Sequence, residues 1–562
     1  FLTAQTAVER KKISDSSNKE LNNKLKIAAA LSERQQADSI ALYKQQHNFV
    51  DTEKKSIKRI ENGLPIFYTT YNQGSSKTIG TDKMYPGASL GLNVTGSGMT
   101  AGVWDGGKVR ATHVEFSNDV VILGDAAATL SNHATHVTGT IIAAGLSPMR
   151  RGIAYGADAK TYDWNADYSE MLAFGTAGYL VSNHSYGYVA SSLPLYKFGS
   201  YDASSIEIDN VSNANPYYQV VIAAGNDRED YTVEQVGNKG GYDLLSGMSV
   251  SKNGLVVAAV NQVDNYINAT SVEMSYFSNY GPTDDGRIKP DIAAKGVAVS
   301  STTSISNNSY DTYQGTSMAA PAISGMIIML QKHYNNLNPG SFMRASTVRG
   351  LICHSAKEAG YEPGPDYEFG WGLADAVAAA NIITNKNSST ILEENTLTNN
   401  QVFTKQITLD VGQKLMTTIC WTDPTSTSSG TAEDNRTPKL KNNLDLKVLK
   451  NGEVFYPWKL DVEDPTAPAT RYADNNVDNI EKVEMDIASP GVYTIQVSHK
   501  GTLAGGSQVF SLIANGSTGI NLNASNYNFD NSVFIYPNPT NNILNYSVNE
   551  AMGINSIRIN DV

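Results

Sequence analysis

From about Gly63 to Ile382 the chain is built from short apolar runs, each stopped by Gly, Asn or Asp and often followed by a stretch with helical spacing. Residues 99–104, 218–223 and 255–260 are the clearest of these runs: short, rich in β-branched residues and without alternation. Runs of that kind suit strands buried on both faces, and strands alternating with helices predict an α/β unit with a parallel sheet flanked by helices, its chemistry at the strand ends. Upstream, residues 8 to about 60 mix Lys, Glu, Asn, Gln and Ser with apolar residues at helical spacing, Ala28-Ala29-Ala30-Leu31 among them. This predicts solvated helix, and residues 1–62 read as a signal remnant and a helical pro-segment ahead of a main unit at 63–383. The polar stretch 384–400 reads as a linker. In 401–516 alternating strands return without helices, as in Asp445-Leu446-Lys447-Val448-Leu449, separated by turn signals such as Asn451-Gly452 and Pro490-Gly491, so a β-sandwich is expected. A second Asn/Ser-rich linker covers 517–532, and a further β-rich unit begins at Val533 and runs to Val562.

Length and composition narrow the function classes. With 562 residues, 41% hydrophobic, 17% charged and 46 glycines, the chain reads as two or three globular, loop-rich units. A formal charge of −12 leaves no basic footprint for a phosphate backbone, so nucleic acid is not an expected partner. No apolar run is long enough for a transmembrane segment. Cys353 and Cys420 fall in different predicted units, and no disulfide is expected. Phe1-Leu2-Thr3-Ala4-Gln5 reads as the end of an apolar segment followed by a small-residue cleavage site, the remnant of a secretory signal, or else as an arbitrary boundary.

Three signatures carry candidate chemistry. Gly102-Val103-Trp104-Asp105-Gly106-Gly107 sets a carboxylate at a strand end, before glycines that allow a sharp turn; alone, such an Asp equally suits a turn or a helix cap. His133-Ala134-Thr135-His136-Val137-Thr138-Gly139-Thr140 begins 28 residues after Asp105 and opens an apolar helical stretch. Histidines at i and i+3 also have metal-ligand spacing, but Ala134 stands where a His-Glu-x-x-His zinc helix needs Glu, and no third ligand is near. Gly315-Thr316-Ser317-Met318-Ala319-Ala320-Pro321 leads into an apolar helix. A serine in its first turn lies where helix N–H groups favour developing negative charge, although Thr316 or Ser317 also suits a plain cap.

In this order the signatures resemble those of the subtilisin-like serine proteases, or subtilases, whose triad runs Asp, His, Ser along the chain. Val221-Ile222-Ala223-Ala224-Gly225-Asn226 is similar to the family's oxyanion-hole segment. Tyr276-Phe277-Ser278-Asn279-Tyr280-Gly281-Pro282-Thr283 and Ile288-Lys289-Pro290-Asp291-Ile292 resemble its run before the nucleophile, and Ser182-Asn183-His184-Ser185-Tyr186-Gly187 its pocket-lining strand. The family usually has Gly where Ala134 stands, and the 91 residues from Asn226 to Ser317 exceed the interval in compact members, which implies inserted loops. The resemblance implies a serine endopeptidase acting on proteins or peptides. Its catalytic residues would be Asp105, His133, Ser317 and Asn226, its substrate contacts Ser185, Tyr186, Gly187, Ala224 and Gly225, and its chemistry would use no cofactor.

The chemistry asks the same of these residues. A serine hydroxyl needs an imidazole to accept its proton, a carboxylate to hold that imidazole's tautomer, and donors for the oxyanion. His133, opening the helix, is assigned as the base, and His136, one turn deeper, is expected to pack and hydrogen-bond behind the site. The uncharged, glycine-opened walls at 185–187 and 223–225 imply a large apolar or aromatic residue before the cleaved bond. The rival reading, a subtilase scaffold used only for binding, would follow from the loss of a triad member or of Asn226; all four are present.

The 401–516 unit resembles the C-terminal domains carried by some secreted subtilases. Asp423, Asp434, Asp445, Asp474, Asn476 and Asp478 offer the oxygen ligands that a structural calcium uses, or are solvated turn residues. Val533-Phe534-Ile535-Tyr536-Pro537-Asn538-Pro539-Thr540 resembles the start of the sorting domain read by the type IX secretion machinery of Gram-negative bacteria; the alternative is a truncated binding module. A secreted or cell-surface bacterial protein is what that implies.

Overall fold

The computed structural model describes residues 5–47, 56–61, 64–70, 76–116, 119–127, 129–517, 519–520, 533–536 and 545–548. Helices α1 (Ala7–Ser16) and α2 (Lys19–His47) come first, followed by strands β1 (Ser56–Glu61) and β2 (Leu64–Thr70). The central sheet is parallel and seven-stranded: β3 (Thr100–Asp105), β4 (Val121–Leu123), β5 (Asp158–Asp163), β6 (Val181–His184), β8 (Gln219–Ala223), β9 (Leu255–Val260) and β10 (Ile292–Lys295), in the order β10-β9-β8-β6-β3-β5-β4. Alternate residues of one strand serve the two faces. Val221 and Ala223 join the core under helices α3 (Asn132–Ile142) and α7 (Thr316–Leu337), whereas Val220 and Ile222 join the core under α4 (Asp167–Thr176) and α5 (Ala203–Ala214). Burial on both faces is why these strands read as unbroken apolar runs.

The short strand β7 (Tyr186–Tyr188) lies beside this sheet, and β11 (Val299–Thr302) pairs with β12 (Tyr310–Tyr313). Helix α6 (Glu234–Lys239) lies on a loop, while α8 (Ala345–Ser355) and α9 (Ala376–Thr384) close the α/β unit. The sandwich has two four-stranded antiparallel sheets. One orders β13 (Thr390–Thr398), β20 (Ser507–Gly516), β15 (Lys414–Trp421) and β18 (Ile480–Asp486); the other orders β14 (Phe403–Leu409), β19 (Gly491–Lys500), β16 (Asn443–Lys450) and β17 (Glu453–Phe455). Among the described residues no helix is long and apolar enough to cross a membrane.

The two units share a core. Helix α8 packs on β15 and β20, and Cys353 and Cys420 are free and buried in the same apolar cluster there. Arg349 donates to the Trp421 carbonyl at 2.7 Å, and the Lys252 ammonium is buried against Asp423, the Pro424 carbonyl (2.6 Å) and the Lys439 carbonyl (2.9 Å).

Two expected boundaries differ. The stretch 384–400 is not a free linker, because β13 lies within it and pairs along its whole length with β20. Only Thr390, Ile391, Leu392 and Leu397 of that strand are buried, so most of its residues look like a polar connector. Among its described residues the pro-segment is helical up to His47, and β1 and β2 are strands that pair antiparallel across the proposed boundary at 62/63. Asn62-Gly63 between two β-rich runs is a hairpin signal that the helical reading passed over. The signal-remnant residues before Gln5, and the sorting-domain region apart from Val533–Tyr536 paired with Asn545–Val548, lie outside the described residues.

Candidate active site

The groups singled out in the sequence meet at the C-terminal ends of the central strands. Asp105 ends β3 with its side chain 1% exposed, and its carboxylate accepts from the Gly106 amide at 2.8 Å. Facing it, His133 Nδ1 lies 2.7 Å from each carboxylate oxygen. His133 owes its position to the start of α3: the Ser131 hydroxyl caps the helix by accepting from the Ala134 amide at 3.1 Å, which sets His133 in the first turn.

Ser317 sits in the first turn of α7. Gly315 precedes it with φ +152°, a backbone conformation that favours glycine, and this lets the chain turn from the sheet into the helix. The Ser317 hydroxyl donates to the Ser185 carbonyl at 3.0 Å, while the Ser185 hydroxyl donates to the Ser317 carbonyl at 2.8 Å. Asn226 follows β8. Gly225, at φ +107°, allows a close approach to Asn279 that any side chain would block. The Asn226 Oδ1 accepts from the Thr316 amide at 2.7 Å, and its Nδ2 is buried without a hydrogen-bond partner. A donor held by its own acceptor end, beside the N-terminus of a helix, is equipped to receive an anionic oxygen.

A pocket opens at Ser317, lined among others by Tyr186, Gly187, Tyr188, Ala224, Gly225 and Met248. Four of the five expected substrate contacts line it; Ser185 instead braces Ser317 from behind. Tyr186 is fixed by a buried chain: its hydroxyl is 2.8 Å from His184 Nδ1 and donates to Asp167 at 3.0 Å, and His184 Nε2 is 2.8 Å from the Ser182 hydroxyl. Sequence reading missed Tyr188 and Asp227, each one residue beyond a stretch already singled out, and Met248 and Asn279 from other segments. Asp227 also corrects the expectation of uncharged walls, although Asn279 Nδ2 donates to its carboxylate at 2.9 Å.

His136 is fully buried, stacked on Tyr313 with ring centroids 5.1 Å apart. Burial, and then the neighbouring His133, pull its pKa down to about 3. It packs behind the site as expected, and its ring nitrogens make no hydrogen bond of normal geometry, although the Asp311 and Val299 carbonyls lie close; its backbone carbonyl accepts from Ser301 at 3.0 Å and Thr140 at 2.9 Å.

The six oxygen donors of the sandwich are not gathered into one site. Asp423 pairs with Lys252, Asp445 and Asp474 with Lys500, and Asp478 accepts from the Ile288 amide. Asn476 bonds Asn443, and Asp434 faces the α/β unit through Lys239.

Comparison with known proteins matches residues 96–372 to the subtilase family. A stretch of 71 residues is 46% identical to the C5a peptidase of Streptococcus pyogenes, covering 13% of this chain and 6% of that protein. Another, of 228 residues, is 28% identical to the PI-type proteinase of Lactococcus lactis subsp. cremoris, covering 34% of this chain and 12% of that protein. The chain therefore spans a small part of the length of these relatives. Among solved structures, the Patellamide maturation protease PatA aligns at 20% identity with a TM-score of 0.39, over 51% of this chain and 98% of that one.

Proposed function

Residues 96–372 form a domain of the subtilase family, and on that premise we propose that the chain is a serine endopeptidase in which Ser317 attacks the peptide carbonyl. One observation carries the reading: Ser317 opens onto the pocket, close to Asn226 and its unpartnered amide, at the same end of the sheet as the Asp105–His133 pair. In the reaction His133 takes the serine proton, while Asp105 holds its Nδ1–H and stabilises the imidazolium that forms. Asn226 Nδ2 and the Ser317 amide receive the oxyanion. His133 then protonates the leaving amine, and water, activated by the same imidazole, hydrolyses the acyl-enzyme.

The substrate lies as an antiparallel strand along β7. That edge is held here by β2, with Thr69 opposite Gly187 and Thr70 opposite Tyr186. Residues up to the end of β2 thus act as a pro-segment that blocks the cleft until it is removed. The glycine-opened entrance and the aromatic wall of Tyr186 and Tyr188 suit an aromatic or large apolar residue before the cleaved bond. Export belongs to the same reading. The segment from Val533 onward serves the type IX machinery, so its removal should leave catalysis intact and hold the protein inside the cell.

The activity is tested by casein digestion with purified protein, with and without a serine-directed phosphonofluoridate. Digestion that the inhibitor abolishes, and that Ser317→Ala lacks, is expected. Digestion by Ser317→Ala preparations free of host proteases would overturn the assignment.

A further inference from the structure

Away from the cleft, among the described residues, Asp243, Asp284 and Asp434 bring carboxylate oxygens within 4.8 Å of one another. Asp243 and Asp284 belong to loops of the α/β unit and Asp434 to the sandwich. Proximity alone would carry nothing, but two further features do. Asp284 is 1% exposed, and neither of its carboxylate oxygens makes a hydrogen bond of normal geometry, although the Asn435 amide lies close to it. Asp243 gives one oxygen to Gln235 Nε2 at 2.7 Å and leaves Oδ1 buried and unpartnered. The space between them is kept by Gly199, at φ +65°, where a Cβ would lie 2.5 Å and 2.6 Å from the Asp243 and Asp284 oxygens.

Cations reach Asp434, whose oxygens lie 2.7 Å from Lys239 Nζ and 3.6 Å from Arg436 Nη1. Buried like charges of this kind are costly unless something compensates them. A donor set made only of carboxylate oxygens and carrying net negative charge, with Asp243 and Asp284 buried and Asp434 at the solvent edge, matches a hard divalent cation of the size of calcium.

We propose that Asp243, Asp284 and Asp434 together bind a calcium ion that clamps the wall of the specificity pocket to the sandwich. The connections run directly. The Asp243 amide donates to the Gly281 carbonyl at 2.7 Å, and the next residue, Leu244, accepts from the pocket residue Asn279 at 3.2 Å. The Asp284 amide donates to the Gly199 carbonyl at 2.9 Å, and the Gly199 amide to the Leu245 carbonyl at 2.8 Å, just before pocket residue Ser246. Calcium binding by this group does not depend on the proposed peptidase activity, and both readouts below are independent of it.

The test uses the full chain carrying Ser317→Ala, stripped with a chelator, then dialysed against calcium chloride, with bound ions counted by atomic absorption. The parent should hold one more calcium than either Asp284→Asn or Asp434→Asn. In chelator, Asp284→Asn should melt no lower than the parent, because one buried charge has gone. In calcium the parent should gain several degrees and the variant should not, narrowing or reversing the order. If Asp284→Asn does not fold, Asp434→Asn decides by the same two readouts. Equal ion counts with equal calcium-induced shifts in parent and variant, or no calcium bound by the parent, would overturn the site and leave protons or Lys239 and Arg436 as the neutralising groups.

Discussion

On the proposed mechanism the Asn226 side chain would perform two duties, and two substitutions separate them. Its Oδ1 accepts from the Thr316 amide at 2.7 Å, and its Nδ2 is the buried donor left without a partner. Asn226→Ala removes both. Loss of the donor should lower kcat about 100- to 1000-fold, roughly 2.7–4 kcal/mol of transition-state stabilisation, which is the range known for such a donor in subtilisin itself. Loss of the acceptor leaves the Thr316 N–H unpaired in the first turn of a buried helix, at a cost of about 1–3 kcal/mol. Asn226→Asp retains the acceptor, so most of that stability should return, but it supplies no donor and sets a carboxylate beside the developing oxyanion. Its kcat should fall at least as far as that of the alanine variant. The assay is kcat and KM on a chromogenic peptide, with thermal unfolding of both variants measured in a Ser317→Ala background. An aspartate variant with nearly parental kcat, or alanine and aspartate variants of equal stability, would refute the division of labour.

Four other outcomes are expected. His133→Ala should lower kcat about as much as Ser317→Ala, with the double variant scarcely worse, whereas His136→Ala should lower the melting temperature and leave the folded fraction active; kcat corrected for folded protein decides. His136 stays neutral in the folded state down to about pH 3, against the ordinary histidine value of about 6.5. Its folded pKa is the lower one, so its contribution to stability is full above about pH 6.5 and is lost towards pH 3, by up to about 1.4 kcal/mol per pH unit. The stability deficit of His136→Gln relative to the parent should therefore shrink between pH 7 and pH 5, and a constant deficit would contradict this. Lys252→Met strands the buried Asp423 carboxylate and should cost about 3–5 kcal/mol in thermal unfolding; a loss under about 1 kcal/mol would mean that solvent reaches the interface. Because β2 holds the β7 edge as far as Thr70 opposite Tyr186, self-processing is expected to remove the segment through β2; an N-terminus of the mature protein that still includes β2, or processing that persists in Ser317→Ala, would contradict a self-cleavage.

The parts legible in the sequence are those governed by local rules. Strands such as 255–260 are apolar throughout because both faces are covered, and Asp105, His133 and Ser317 each sit within a contiguous motif at an element boundary. Strand β13 was opaque because its outward residues are polar and its pairing with β20 joins residues more than a hundred positions apart. The pocket was half legible: Tyr186, Gly187, Ala224 and Gly225 lie in motifs read as pocket-lining, whereas Asn279 lies in a motif that gave no sign of reaching the pocket, Asp227 falls just past one, and Met248 lies outside all of them. Asp434 was visible as an oxygen donor. Its partners Asp243 and Asp284 were not, since only the docking of the sandwich on the α/β unit brings them to it.

The central claim is that one hydroxyl, that of Ser317, forms the covalent intermediate, and labelling tests it most directly. Mature protein is treated with a phosphonofluoridate until caseinolysis stops, and its intact mass and peptide map are recorded. One adduct per chain, located on the peptide containing Gly315-Thr316-Ser317-Met318 and rising in proportion to lost activity, is the result expected. Full activity with that peptide completely labelled, or complete inactivation with the label on another residue, would contradict the account.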